Sequence, residues 1–145
     1  MPIDTDTELR KLLSVDTIAV VGCSTTPGKP AHDVPRYLQS QGYRILPVNP
    51  FTDEVLGEPA SDSLRDVKEE VDLVDVFRPS EEVPGIVEEL LERRETRGDA
   101  GILWFQLGIR HHEAARRAEA AGVRVVQDRC LNVEHRRLGS GTRTQ

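Results

Sequence analysis

Residues 17–50, TIAVVGCSTTPGKPAHDVPRYLQSQGYRILPVNP, read as one strand–loop–helix–strand unit. Ile18, Val20 and Val21 form a short β-branched run, as expected of a strand buried on both faces. Gly22 ends that run and opens a loop of small, hydroxyl-bearing and turn-forming residues. Val34, Tyr37 and Leu38 share one face of the helix that follows, and Gly42 stops it. The apolar run Ile45 to Val48 then completes a right-handed crossover. A unit of this kind gathers backbone N–H groups at a glycine turn and a helix N-terminus, which is a place for phosphate.

The loop departs from two known phosphate patterns. Five residues separate Gly22 from Gly28, and Pro30 follows Lys29 where a Walker A loop needs a hydroxyl for Mg²⁺. Cys23 and Ser24 follow Gly22, so the second glycine of a dinucleotide fingerprint is missing. That fingerprint also wants an acid at the end of the second strand, about 20 residues on, for the ribose hydroxyls. Val48-Asn49-Pro50 stands there instead, which disfavours NAD.

Around this unit, strand and helix signals alternate. Thr5 and Glu8 have capping-box spacing ahead of the Leu9, Leu12, Leu13 stripe of an N-terminal helix. The polar connection after Pro50 contains one short helix, Ser63 to Val67. Leu73 to Phe77 is the third strand. Ser80 is the expected N-cap of a helix that buries Val83, Val87, Leu90 and Leu91, with Arg93 and Arg94 near its end. Gly101 to Phe105 is the fourth strand, Arg110 to Ala121 a helix, Val123 to Val126 the fifth strand and Leu131 to Leu138 a last helix. The reading is an α/β, Rossmann-like, doubly wound parallel sheet of five strands with helices on both faces, in the order 3-2-1-4-5. That order puts the Gly22 loop opposite Gln106–Gly108 at the switch point. It also places Pro47 in an internal strand, where proline is usually excluded.

A chain of 145 residues with 37% hydrophobic and 30% charged residues suits one domain, here residues 1–138, with 139–145 expected as a flexible tail. No apolar run approaches a membrane span and the N-terminus is too polar for a signal peptide, so a soluble, cytoplasmic protein is expected. A net charge of −6 argues against nucleic acid as the main partner. No metal site is expected, since the adjacent His111 and His112 point to different faces and lack a third ligand at metal spacing. His32 and His135 are isolated from any nucleophile, so no catalytic set can be assembled. Cys23 and Cys130 read as small buried residues that form no disulfide.

VVGCSTTPGKPAHDVPRYLQSQGYRILPVNP, followed by LGEPA, DLVDVFRP, WFQLG and DRCLNVEH, resembles the single-domain coenzyme A-binding proteins, from about Thr7 to about Leu138. These are similar to the nucleotide-binding domain of the succinyl-CoA synthetase α subunit, whose phosphohistidine domain is expected to have no counterpart here. The resemblance implies a Rossmann-like fold that binds coenzyme A and carries out no reaction of its own. It selects a pyrophosphate role for Gly22, Ser24, Thr25 and Thr26, which otherwise suit any βα turn. Lys29 beside the helix start opposes the helix dipole, a misfit that a bound anion relieves, although exposed loop lysines are common. Asn49, Pro50, Phe77 and Arg78 end the strands against which an adenosine would lie; Phe77 is equally a core residue, while Arg78 can pair with a phosphate or stack on the base. Gln106 and Gly108 would guide the pantetheine arm towards Asn132. The Arg110-His111-His112 stretch departs from the family, which tends to be acidic there. Two further readings stay open: a subunit of an acyl-CoA ligase or transferase that needs a partner chain for chemistry, and an NAD-binding redox protein.

Overall fold

The computed structural model describes residues 3 and 5–138; the tail expected at 139–145 lies outside them. In chain order the elements are α1 (Asp6–Leu12), β1 (Thr17–Val21), α2 (Pro30–Ser40), β2 (Arg44–Val48), β3 (Glu54–Val55), β4 (Glu58–Pro59), β5 (Leu73–Val76), α3 (Val83–Arg97), β6 (Ile102–Phe105), α4 (His112–Ala120), β7 (Arg124–Val126) and α5 (Leu131–Leu138), with short 3₁₀ turns at Leu64–Asp66 and Ser80–Glu82. The α1 start forms as its capping spacing demands, with Thr5 Oγ1 accepting from the Glu8 N–H at 3.3 Å. Ser80 is not a cap for α3. A 3₁₀ turn intervenes, and the Ser80 hydroxyl instead accepts from the Arg110 N–H at 3.1 Å.

The main sheet has five strands, all pairing in parallel, ordered β2-β1-β5-β6-β7. This is the expected doubly wound α/β fold, but the strand order needs correction. Counting main-sheet strands only, it runs 2-1-3-4-5 rather than 3-2-1-4-5. β5 pairs with β1 from Ile18↔Leu73 to Val21↔Val76, and β2 becomes the edge. The physical reason is Pro47. It pairs with Val20 on its inner side, and on the outer side of β2 its missing N–H costs no ladder bond. Its carbonyl accepts from the Ser61 N–H at 3.0 Å, which closes the exposed end of the edge.

Strand alternation divides the interior into two layers. Ala19, Val21, Val74, Val76, Leu103 and Phe105 face α3 and α4, while Ile18, Val20, Leu73 and Trp104 face α1, α2 and α5. Every one of these is buried, so both faces of the sheet are covered, as an all-parallel sheet requires. The polar connection after Pro50 holds the β3–β4 hairpin as well as the expected short helix, which is the 3₁₀ turn at Leu64–Asp66. Leu56 and Gly57 turn the hairpin with φ of 56° and 78°, and Gln39 Nε2 of α2 ties it down by donating to the Leu56 carbonyl at 3.1 Å.

Candidate functional site

Gly22 leaves β1 with φ +89°, and its N–H reaches across to the Val48 carbonyl at 3.0 Å. The loop then consumes most of its own donors. Ser24 N–H bonds the Ala31 carbonyl at 3.0 Å, and Thr26 N–H bonds the Ser24 hydroxyl at 3.0 Å. Gly28 N–H bonds Asp33 Oδ1 at 3.1 Å, and this bond, with a smaller one from His32, holds the Asp33 carboxyl below its ordinary range. Lys29 is the N-cap of α2 and Pro30 fills the first turn, where a missing N–H is harmless. Among the described residues the Thr25 and Ala31 N–H groups have no internal acceptor, and both residues line the cleft described next.

That cleft, of about 620 Å³, opens at the carboxyl ends of β1, β2 and β5. Eight of the residues singled out from the sequence meet in it: Gly22, Ser24, Thr25 and Lys29 from the β1–α2 loop, Asn49 and Pro50 after β2, and Phe77 and Arg78 after β5. Asn49 binds its walls together, donating through Nδ2 to the Cys23 carbonyl at 2.8 Å and accepting the Phe51 N–H on Oδ1 at 2.7 Å. Thr26 is exposed and outside the cleft wall.

Gln106, Gly108 and Asn132 do not join this cleft, because β5 separates β1 from β6 and moves the switch point to the β1–β5 boundary. Gln106 is buried and accepts the Leu131 N–H on Oε1 at 3.1 Å, while Gly108 N–H bonds Asp128 at 2.6 Å. Asn132 Oδ1 is buried without a hydrogen-bond partner. A second depression of about 310 Å³, lined by Leu107, Arg110 and Cys130, lies on that side of the sheet.

Sequence reasoning missed Phe51, Asp62, Ser63, Glu82 and Glu89, all of which line the main cleft. Asp62 is brought in by the β3–β4 hairpin, since Ser61 pairs with the end of β2 through the Asn49 N–H at 2.8 Å. A carboxylate therefore does line the cleft, although not at the end of β2. Glu82 carried a legible signal, its i,i+4 spacing from Arg78. His111 is half-buried rather than plain surface. Its Nδ1 accepts the Ala114 N–H at 3.1 Å and caps α4. Among the described residues no group of three His, Cys, Asp or Glu is placed to hold a metal ion.

Cys23 and Cys130 are free thiols. Burial pushes the Cys23 thiol well above its ordinary value, which disfavours the thiolate. Asp75 sits in the middle of β5, fully buried, with neither carboxyl oxygen hydrogen-bonded. Desolvation raises its pKa well above the ordinary carboxylate value, which favours the neutral acid in the fold. Folding thus holds a proton that the unfolded chain releases above about pH 4, and the acid's contribution to stability falls as pH rises from there to the folded value. Asp75→Val, which removes the orphaned oxygens, is expected to stabilise the protein at pH 7 by about 1–2 kcal/mol, a few degrees in Tm. The gain should shrink as pH is lowered towards 4. Asp75→Asn should flatten the pH dependence alone. Thermal melts across pH 4–8 check this, and a Val variant less stable than wild type at every pH would overturn it.

Residues 16–136 match the family model described as CoA binding domain. The chain belongs to the CoA binding domain family. An uncharacterised protein of Bacillus subtilis (strain 168), YneT, is 42% identical over 118 residues, which cover 81% of this chain and 84% of that one. Among solved structures, cell-free ID.343 from Thermus thermophilus has 51% identity and a TM-score of 0.86, covering 93% of this chain and 99% of that one. The ADP-forming acetate–CoA ligase of Methanocaldococcus jannaschii is 27% identical over 134 residues, 88% of this chain but only 19% of the ligase. This CoA binding domain thus spans a small part of that ligase and most of YneT. No helix among the described residues is long and apolar enough to cross a membrane.

Proposed function

We propose that this protein binds coenzyme A or an acyl-CoA in the cleft at the ends of β1, β2 and β5, without catalysis of its own. The observation that carries the reading is the convergence there of a glycine turn with two cations, Lys29 and Arg78, in a chain of the CoA binding domain family. Lys29 has no carboxylate within ion-pair distance among the described residues, so it is open to the pyrophosphate. The Thr25 and Ala31 N–H groups and the hydroxyls of Ser24 and Thr25, with Thr26 at the loop's outer side, complete that subsite. Arg78 takes the ribose 3′-phosphate, with Asn49, Pro50 and Phe77 around the adenosine. The pantetheine arm then leaves towards Gln106, Gly108 and Asn132.

Calorimetry with coenzyme A, dephospho-CoA and NAD on wild type and Arg78→Ala tests this. Coenzyme A should bind tightest. Loss of the charged hydrogen bonds to the 3′-phosphate should cost dephospho-CoA about 1.5–3 kcal/mol, roughly ten- to a hundredfold. Arg78→Ala should erase that difference. NAD belongs in the panel because Asp62 gives the cleft a carboxylate suited to ribose hydroxyls. Equal affinity for NAD and coenzyme A would end the coenzyme A reading, and discrimination surviving in Arg78→Ala would move the phosphate contact to Lys29.

A second reading is a component of an acyl-CoA ligase that needs a partner chain for its chemistry. Its support is the likeness to one part of an acetate–CoA ligase. Acyl transfer that appears only when a co-purifying ligase subunit is added would favour it.

A further inference from the structure

Arg78, the cation assigned to the 3′-phosphate, is already engaged. Its Nε donates to Glu82 Oε1 at 3.0 Å and its Nη2 to Glu82 Oε2 at 2.6 Å, a two-pronged grip on one carboxylate. Both residues line the cleft. The grip also fixes where the arginine lies. A Cβ built on Gly22 would stand 2.9 Å from Arg78 Cδ and 3.4 Å from its Cγ, so the arginine stem rests directly against the glycine turn. The cleft therefore presents a neutralised cation, with a carboxylate beside it, at the turn where phosphate is expected.

We propose that Glu82 is a built-in competitor of the 3′-phosphate: an internal carboxylate that occupies Arg78 and is displaced from it by a phosphomonoester. The proposal rests on the coenzyme A reading of the same cleft. The two side chains are 45% and 46% exposed, so water screens the pair and separating it costs little. A phosphomonoester dianion carries more charge than Glu82 and offers the same two-oxygen match to a guanidinium, so it displaces the carboxylate. A ribose hydroxyl offers neither advantage, and Arg78 stays with Glu82. Among the described residues Lys29 has no comparable partner, which leaves the pyrophosphate subsite ungated while the 3′-phosphate subsite is gated. Glu82 thus lowers the affinity for coenzyme A slightly and leaves that for ligands lacking the 3′-phosphate unchanged.

Glu82→Gln keeps the shape of a half-exposed side chain while removing its charge. Titrated by calorimetry at fixed salt, this variant should bind coenzyme A about two- to fivefold more tightly than wild type, the worth of a half-exposed ion pair that binding must break. Its affinity for dephospho-CoA should change less than twofold, so discrimination between the two widens. An unchanged coenzyme A affinity, or an equal gain for both ligands, overturns the role of Glu82 and leaves the coenzyme A reading standing if wild type still prefers coenzyme A. A wild-type protein that binds neither ligand overturns both.

Discussion

Arg93→Ala is expected to destabilise the protein by about 3–5 kcal/mol, lowering Tm by roughly 10 °C or more. Arg93 sits on the inner face of α3 with a side chain only 1% exposed. Its guanidinium makes five hydrogen bonds: Nε and Nη2 to the two oxygens of Asp99, both at 2.9 Å, Nη1 to the carbonyls of Leu64 and Val67, and Nη2 to that of Glu69. Truncation takes the arginine's donors from those three carbonyls and leaves the Asp99 carboxylate with the Val71 N–H but without its cation, and a buried charge stripped of its partner is far costlier than the pair is worth. Burial pushes the Asp99 carboxyl up, yet the bonds from Arg93 and from the Val71 N–H outweigh it and hold the group below its ordinary range. Asp99 is therefore charged at neutral pH. Urea denaturation at pH 7 measures the loss. Arg93→Met combined with Asp99→Asn should recover part of it, because the double change removes the charge as well as its partner. A single-variant loss below 1 kcal/mol would show that the segment does not depend on Arg93.

The consequence reaches the cleft. The carbonyls that Arg93 holds belong to the segment from Leu64 to Glu69, which continues directly from Asp62 and Ser63 on the cleft wall. That segment has little regular structure of its own beyond one 3₁₀ turn. Its position is set by Arg93 and by Glu89 Oε1 accepting the Leu64 N–H at 3.1 Å. Coenzyme A binding is thus expected to weaken in Arg93→Ala even under conditions where the sheet stays folded.

Every main-sheet strand and every long helix was legible in the sequence because each carries its own short-range signal: β-branched runs, apolar spacing, glycine stops. Strand order has no such signal, and the most common dinucleotide-binding arrangement is the wrong template here. Pro47 was the available clue, since a proline that cannot donate belongs at an edge. The hairpin stayed hidden because its turn uses Leu56 at positive φ, where a sequence reader expects asparagine or glycine. Arg93 follows Leu90 by three residues on the stripe that buries Val83 and Val87, so its burial could be read from spacing. An arginine near a helix C-terminus also satisfies the dipole, and that simpler account masked it. The cleft was legible where strand ends define it. Asp62 and Ser63 enter through the unread hairpin, and the observed strand order leaves Gln106, Gly108 and Asn132 outside the cleft wall.

Gly22→Ala is expected to cost about 1–3 kcal/mol in stability and at least tenfold in coenzyme A affinity. Two separate causes act at this one residue. The backbone lies at φ +89°, where an L side chain is strained whatever the space around it. The space is also taken, because the new Cβ would stand 2.9 Å from Arg78 Cδ and 3.3 Å from the Phe77 carbonyl oxygen. The carbonyl belongs to the chain just after β5, held by the Phe77 N–H bond to Val21 at 2.9 Å, and cannot retreat cheaply. The arginine stem can, and moving it shifts the guanidinium off both Glu82 and the phosphate position. The two causes separate in a double-mutant cycle with Arg78→Ala, which deletes Cγ and Cδ and keeps the backbone. In that background the stability loss from Gly22→Ala should shrink to the backbone part, and its effect on discrimination between coenzyme A and dephospho-CoA should vanish. Additive losses in both measurements would mean that Gly22 and Arg78 act independently, and that the close contact between them has no bearing on phosphate recognition.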